Sequence, residues 1–163
     1  VKGREEGMHQ EKFLACAMEQ ERTLYRVAKT LLRSDADCAD AVQEALLKGL
    51  RGAPLLRSEQ YAQTWLTRIL INTCKDMLRR SARTGTVELS EFYPAPDRTE
   101  QRELYDALHA LPEELRLPLV LHYLEGFPLR EISRMLRVPE GTLKRRMWQG
   151  RKELREMLSE EAI

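Results

Sequence analysis

Residues 129–154 read LREISRMLRVPEGTLKRRMWQGRKEL, and this stretch indicates how the chain folds. Apolar residues recur at intervals of three and four on both sides of a short Arg-Val-Pro segment at 137–139, which is typical of two amphipathic helices joined by a turn. Pro139 is tolerated there because the first N–H groups of a helix have no intrahelical acceptor. The spacing predicts a helix-turn-helix with helices over about 129–136 and 140–158.

The second helix of this motif has an apolar face and a basic face. At about 100° per residue, one stripe consists of Leu143, Met147, Gly150, Leu154 and Leu158. The opposite face carries Arg145, Trp148, Gln149 and Lys152, with no acidic residue, whereas a charge-laced surface helix would alternate signs. A solvated charged face remains the alternative interpretation.

A helix in this position places its N-terminal half in the major groove of DNA. An arginine can bond guanine O6 and N7, a glutamine can bond adenine N6 and N7, and Thr142 at the helix start suits a phosphate. The predicted DNA contacts of this helix are Thr142, Lys144, Arg145, Arg146, Gln149 and Lys152.

The remainder of the chain is also predicted to be helical, which makes the fold class all-α. Helices are expected over 11–32, 37–50, 59–80, 100–110 and 113–124, with an N-cap at the Ser-Asp-Ala-Asp segment that starts at Ser34. Residues 81–99 contain Gly, two Pro and several Ser/Thr without helical periodicity, which favours a flexible linker. We therefore expect two small helical domains, 11–80 and 100–160.

The third helix, 59–80, is predicted to have the same two-faced character. Its inward stripe is Leu66, Ile69, Leu70, Thr73 and Met77. The other side carries bases, an amide and an aromatic ring, which suit a nucleic-acid backbone with some base contact: Tyr61, Thr64, Arg68, Asn72, Lys75 and Arg79. Trp65 lies at the border and is either a core anchor or a base-stacking residue.

The formal net charge of +1 hides a strong segregation of charge along the chain. Seven basic and two acidic residues between 137 and 155 give +5, and five basic and one acidic residue between 65 and 83 give +4. Residues 35–47 contain four acids and no base. The helix dipole accounts for acids near the start of a helix, but it accounts poorly for Glu44.

Several function classes find no support in the sequence. Cys16, Cys38 and Cys74 are widely spaced and form no CxxC or Cys/His cluster, so we expect reduced thiols, no metal site and no cofactor in a cytoplasmic protein. No convergent acid/base or nucleophile set points to an enzyme. No apolar run approaches the ~20 residues that a membrane helix needs, so we expect no membrane insertion.

Three segments in this order resemble the extracytoplasmic-function group of the sigma-70 family. DADCADAVQEALLKGL (35–50) is similar to the family's core-polymerase-binding helix, although Ala39 replaces an acid and Leu46 replaces a Phe. YAQTWLTRILINTCKDMLRR (61–80) is similar to the promoter-melting helix, and residues 111–146 are similar to the domain that reads the minus-thirty-five element. Here Arg145 occupies the usual Ser position, and residues 148–150 read Trp-Gln-Gly where His, Arg and Ala are common.

The resemblance implies a sigma factor that binds core RNA polymerase, directs it to promoter DNA and helps to open the minus-ten element. It implies core-polymerase contacts by Asp40, Gln43, Glu44 and Lys48. It implies minus-ten contacts by Tyr61, Thr64, Trp65, Arg68, Asn72, Lys75, Arg79 and Arg80, and minus-thirty-five contacts by the six residues named for the last helix. It also implies an anti-sigma factor as an inhibitory partner.

The alternative function is a free-standing helix-turn-helix repressor or activator with an N-terminal dimerisation or sensor domain. The third helix discriminates between the two hypotheses, because a sensor domain has no need of a basic, amide-bearing face. Transcription of specific promoters on addition of core polymerase is the expectation that separates them experimentally.

Overall fold

The computed structural model describes residues 10–85 and 99–161, which form two compact units, one from each range. The predicted all-α fold is confirmed, since the described part of the chain contains helices and turns and no strand. The first unit contains α1 (Gln10–Leu31), α2 (Asp35–Gly52) and α3 (Ala62–Thr84). The second contains α4 (Thr99–Ala110), α5 (Glu113–Leu119), α6 (Leu129–Leu136) and α7 (Glu140–Glu161).

The first unit is a three-helix arrangement in which each helix packs against the other two. The inward stripe predicted for the first helix is confirmed, because Leu24, Val27, Ala28, Leu31 and Leu32 are all buried. A close approach of the helices occurs at Gly49 of α2, where a Cβ atom would lie 2.5 Å from Cζ of Phe13 and 3.0 Å from Cδ1 of Leu66. Only glycine fits this contact without a shift of the buried side chains around it.

The start of α2 is set by its cap. Ser34 has extended backbone angles, and its Oγ accepts a 3.1 Å hydrogen bond from the backbone N–H of Asp37. Such a cap satisfies one of the N–H groups that a helix leaves unpaired at its start. The predicted cap is therefore confirmed, while the helix itself begins at Asp35, two residues before the predicted position.

The third helix differs from its predicted bounds at both ends. Residues Glu59–Tyr61 form a separate 3₁₀ turn, and α3 then continues through Thr84. It ends at Gly85, whose φ of 65° is the left-handed conformation that commonly terminates a helix. Residues 81–84, expected to belong to the linker, thus extend α3, and residue 99 begins α4; residues 86–98 of the expected linker lie outside the described residues.

The second unit packs α4, α5 and α7 around buried side chains that include Leu108, Leu111, Leu119, Val120 and Met147. The helix predicted over 113–124 is divided in two. Pro118 lies within α5, and the chain widens into a π-helical turn at Val120–Leu124. Pro118 has no backbone N–H, so one α-helical hydrogen bond is missing just before the helix widens into this rarer π geometry.

The helix-turn-helix is present as predicted. Helix α6 spans Leu129–Leu136, and Arg137 adopts the left-handed conformation with φ 54°. The hydroxyl of Ser133 donates a 2.6 Å hydrogen bond to the carbonyl of Val138, and the N–H of Leu143 bonds the carbonyl of Pro139 at 3.0 Å. These bonds hold the turn, so that α7 begins at Glu140 as expected.

Candidate nucleic-acid and polymerase surfaces

The face of α3 that was predicted to meet nucleic acid points away from the core of the first unit. Leu66, Leu70 and Thr73 of the predicted inward stripe are buried, while Ile69 and Met77 are half-buried. On the other side, Tyr61, Asn72 and Arg79 are exposed and Thr64, Arg68 and Lys75 are half-buried. Arg80 is also exposed, but it lies on the side of α3 that faces α2. Arg79 Nη1 lies 3.2 Å from Oδ1 of Asp76, the one acid on this stretch of helix. Helix α3 and Tyr61, which directly precedes it, therefore present cations, an amide and a phenol on one accessible surface.

Trp65 occupies an inward position on the border of that surface. Its ring is half-buried and meets Phe13 edge to face, with centroids 6.1 Å apart and an interplanar angle of 79°. A Cβ on Gly52 would lie 2.9 Å from Cζ2 of the indole. Edge-to-face aromatic pairs of this kind stabilise a core beyond the area they bury. Of the two interpretations left open by the sequence, these contacts favour the core anchor.

The acidic helix α2 is connected to α3 by polar side chains. Asp40, Gln43 and Lys48 are exposed and Glu44 is half-buried. Glu44 Oε1 lies 3.0 Å from Nζ of Lys48, and its Oε2 lies 3.8 Å from Nη2 of Arg80. Lys48 Nζ also donates a 3.3 Å hydrogen bond to the hydroxyl of Thr73. The helix dipole does not account for the acidic residue at position 44. In the folded unit Glu44 is instead stabilised by two cationic neighbours, Lys48 and Arg80.

A groove between α1 and α2 was not predicted from the sequence. It is lined by charged and apolar side chains of both helices, namely Glu21, Arg22, Tyr25, Arg26, Ala39, Val42, Gln43 and Leu46. At one end the hydroxyl of Tyr25 donates a hydrogen bond to the carboxylate of Asp35. Burial first, and then this hydrogen bond, raise the pKa of Tyr25 well above its ordinary value. Two further apolar residues of α1, Leu14 and Met18, are exposed to solvent.

In α7 the predicted stripe faces the core, and the predicted DNA contacts divide into two groups. Leu143, Met147 and Gly150 are buried, and Leu154 and Leu158 are half-buried. Lys144, Arg145 and Lys152 are exposed, and Thr142, Arg146 and Gln149 are half-buried.

Two of the half-buried side chains are held by acids. Arg146 Nη2 lies 3.7 Å from Oε2 of Glu114 in α5, and Gln149 Nε2 donates a 2.8 Å hydrogen bond to Oε1 of Glu153. Arg145 extends from the surface, whereas Arg146 is turned toward α5. The adjacent arginines consequently have different surroundings despite their identical chemistry.

Cationic side chains of α7 lie beside two aromatic rings, Trp148 of the same helix and Tyr123 of the π turn. Lys152 Nζ lies 5.6 Å from the centroid of the Trp148 ring. Arg151 donates a 2.8 Å hydrogen bond from Nη1 to the hydroxyl of Tyr123. A shallow cleft is lined by Trp148, Arg151, Lys152 and Arg155. This surface combines positive charge with an exposed indole.

Within residues 10–85 and 99–161, no group of three or more His, Cys, Asp or Glu side chains is arranged to hold a metal ion. Over the same ranges, every helix is too short or too polar to cross a membrane. The three cysteines are free thiols, with Cys38 and Cys74 buried and Cys16 half-buried.

Comparison with known proteins relates the two units to two parts of one family. Residues 17–84 match the family model for sigma-70 region 2, and residues 101–154 match the model for sigma-70 region 4. The ECF RNA polymerase sigma factor SigM of Mycobacterium tuberculosis is 38% identical over 84% of this chain and 72% of its own length. RNA polymerase sigma factor SigV of Bacillus subtilis is 26% identical over 92% of this chain and 93% of its own.

Solved structures agree at the level of the fold. The sigma factor RpoE, determined in complex with the anti-sigma factor NepR from Bartonella quintana, is similar with a TM-score of 0.81 at 22% identity, over 90% of this chain and 96% of that one. CnrH, determined with the cytosolic domain of CnrY, is similar with a TM-score of 0.70 at 20% identity, over 93% and 90% of the two chains. Since both family models match in order and SigM is closely related over most of its length, the chain belongs to the sigma-70 family as an extracytoplasmic-function RNA polymerase sigma factor.

Proposed function

We propose that the two units of this sigma factor have different binding functions. The N-terminal domain, 11–80, binds core RNA polymerase through α2 and contacts the minus-ten element through α3. The C-terminal domain, 100–160, reads the minus-thirty-five element through α7, and the segment 81–99 links them. The chain carries out no catalysis; it directs core polymerase to promoter DNA in the cytoplasm.

The observation that carries this proposal is the separation of charge between two neighbouring helices of one unit. The outer side of α2 carries Asp40 and Gln43, while the outer side of α3 carries Arg68, Asn72 and Lys75. An acidic face suits a basic protein surface, and a basic face with an amide and an aromatic suits a nucleic acid. A repressor with a sensor domain would have no use for the second of these faces.

Promoter opening supplies a role for the aromatic and amide groups. Taking a base out of the duplex stack costs a few kcal/mol, so the open strand has to be captured to offset that cost. Exposed Tyr61 offers a ring for stacking, and Asn72 offers a donor and an acceptor to an unpaired base. Arg68, Lys75 and Arg79 are suited to the phosphates of the same strand.

An anti-sigma factor is part of the proposal. RpoE and CnrH were both determined bound to a partner protein, an anti-sigma factor for RpoE and the cytosolic domain of CnrY for CnrH. The groove between α1 and α2, with exposed Leu14 and Met18 nearby on α1, provides this chain with an apolar and charged surface for a protein partner. Docking there would compete with core polymerase for α2.

The test is transcription with purified components. The chain is added to core polymerase from its own bacterium, and the transcripts made from genomic DNA are mapped. We expect defined start sites with shared upstream and minus-ten elements, and weak, salt-sensitive duplex binding by the chain alone, because its net charge of +1 provides little long-range attraction. Tight sequence-specific binding by the chain alone, with no promoter-specific transcript on addition of core, would overturn the proposal.

A further inference from the structure

Trp148 is a large apolar side chain that remains 58% exposed on the outer surface of α7. An indole has a large apolar area, and aromatic residues of this size usually contribute to cores or interfaces. The opposite side of the same helix supplies the core of the unit through Leu143 and Met147, so folding does not require an indole at this position. The exposure of Trp148 therefore points to contact with a partner molecule.

The surroundings of the ring identify the chemical class of that partner. The cleft beside it is lined by Arg151, Lys152 and Arg155 in addition to Trp148 itself, and no acidic side chain of the described residues contributes to that lining. Lys152 Nζ, 5.6 Å from the ring centroid, restrains the indole by a cation–π contact. An uncharged apolar protein surface would have to desolvate these cations without compensation. A polyanion with an apolar spot, such as the major groove of DNA, fits both features.

The position of Trp148 on the helix connects it with Arg145. The two residues are three apart, so they lie on one face with a rise of about 4.5 Å between them. Base pairs are stacked at about 3.4 Å, so residues about 4.5 Å apart along one helix face are close enough to contact the same base pair or adjacent ones.

The indole has a single N–H donor and no acceptor, so it is a poor partner for the hydrogen-bonding edges of bases. Its ring edge can instead contact the one apolar group in the major groove, the C5-methyl group of thymine. Stacking on a base is excluded there, because the bases of a closed duplex are stacked on each other.

We propose that Trp148 is a specificity-determining residue that recognises a thymine methyl group in the upstream promoter element, next to the base pair contacted by Arg145. The inference rests on the proposed reading of that element by α7, and it adds a base preference that the family resemblance does not supply, since a His is common at this position.

The test uses the full chain bound to core polymerase and a promoter obtained by transcript mapping. Each thymine of the upstream element, on either strand, is replaced in turn by deoxyuridine, which removes the methyl group and leaves base pairing intact. One replacement should weaken binding by about three- to fivefold, the effect of burying one methyl group. In the variant Trp148→Ala, binding should be weaker at the outset, and the same replacement should have no further effect.

Leu124→Ala is the matched control, because Leu124 is another exposed apolar residue of the same unit. It should retain the full response to deoxyuridine, and thermal unfolding should show that both variants are folded. If no thymine responds, or if Trp148→Ala responds as strongly as the unaltered chain, the proposal is wrong. A loss of core binding in Trp148→Ala without any deoxyuridine effect would likewise overturn it, in favour of a protein-binding role. Failure of the proposed function itself is distinguishable, since the unaltered chain would then give no promoter-specific transcripts.

Discussion

Arg80 of α3 and Glu44 of α2 approach each other within the N-terminal unit, with Nη2 of the arginine 3.8 Å from Oε2 of the glutamate. The family resemblance implies different partners for these residues, promoter DNA for Arg80 and core polymerase for Glu44. In the folded chain they belong to one network, which Lys48 extends through its contact with Glu44 and its hydrogen bond to Thr73. A change of charge at either position is therefore expected to affect both partners.

The variant Glu44→Gln tests this connection. The ion pair is largely solvent-accessible, so its loss should lower the free energy of unfolding by less than about 1 kcal/mol. Core binding should weaken severalfold, and binding of the free chain to duplex DNA should strengthen because Arg80 and Lys48 lose a compensating charge. Urea unfolding and titrations with core and with DNA measure the three quantities. The control is Glu103→Gln, which removes an exposed carboxylate from α4. If both variants have equal effects, the cause is the change in net charge and not the contact between Glu44 and Arg80.

Two adjacent arginines of α7 are expected to behave differently. Arg145 is exposed, so Arg145→Ala should reduce discrimination at one base pair of the upstream element by about 1–3 kcal/mol while core binding is unchanged. Arg146 is half-buried and paired with Glu114, so we expect it to make no contact with a base edge. Arg146→Ala should therefore weaken the binding of all promoter sequences by a similar factor. Binding of the polymerase complex to a set of single-base promoter variants distinguishes the two. A uniform loss for Arg145→Ala would show that its side chain contacts only the backbone.

The close packing at Gly49 leads to a prediction of stability. A Cβ at this position would lie 2.5 Å from the ring of buried Phe13, so Gly49→Ala should lower the free energy of unfolding by about 1–3 kcal/mol. Gly141 in the first turn of α7 has no such neighbour within 4 Å, so Gly141→Ala should be neutral or should stabilise the chain by up to about 1 kcal/mol. Denaturant unfolding measures both. A stabilising Gly49→Ala would mean that α2 can move away from α1 at little cost.

Tyr25 should make the stability of the N-terminal unit dependent on alkaline pH. Burial and the hydrogen bond to Asp35 raise the pKa of Tyr25 in the folded chain above that of the unfolded chain. The stabilisation by Tyr25 is fully present below the pKa of tyrosine in the unfolded chain, which is about 10. It is lost as the pH rises above that value, because the unfolded chain then releases the proton while the folded chain still holds it.

Tyr25→Phe should remove this part of the pH dependence and should cost about 0.5–1.5 kcal/mol at neutral pH through loss of the hydrogen bond. Asp35→Asn should lower the pKa of Tyr25 without restoring it fully, since burial is the larger cause. Ultraviolet titration of phenolate formation follows the proton directly. Phenolate formation by Tyr25 at the ordinary tyrosine pKa, about 10, would contradict the prediction.

Much of the fold was predictable because its signals are local. Periodicity at three and four located each of the α-helices α1 to α7 in residues 10–85 and 99–161, and the Arg137–Pro139 turn was identified from its flanking apolar residues. The helix ends were less predictable: α3 runs to Thr84 because Gly85 takes up a left-handed conformation, and Pro118 divides one expected helix into α5 and a π turn. Such ends depend on one residue's backbone geometry, which periodicity does not report.

For the candidate site, the sequence predicted which helix faces are accessible, but it did not predict the contacts of individual side chains. Helical projection placed Arg68, Asn72 and Arg145 correctly on accessible faces, since accessibility follows from which face is apolar. Projection could not decide whether Trp65 packs inward, because that depends on Phe13, which is 52 residues earlier in the sequence. The groove between α1 and α2 was missed for the same reason, as each helix supplies only half of its lining.

By itself the sequence determined the helices, the helix-turn-helix and the separation of acidic from basic faces, because helical geometry relates residues three and four apart without reference to the rest of the chain. Only the tertiary structure decided which of the charged side chains are held by another helix. Glu44 meets Arg80, and Arg146 meets Glu114, because the packing of α2 on α3 and of α5 on α7 brings together residues more than 30 positions apart. Those pairings depend on how closely the helices pack. At Gly49 and Gly150 the side chains of other helices come so near that a Cβ would clash with them, and such packing involves residues far apart in the sequence.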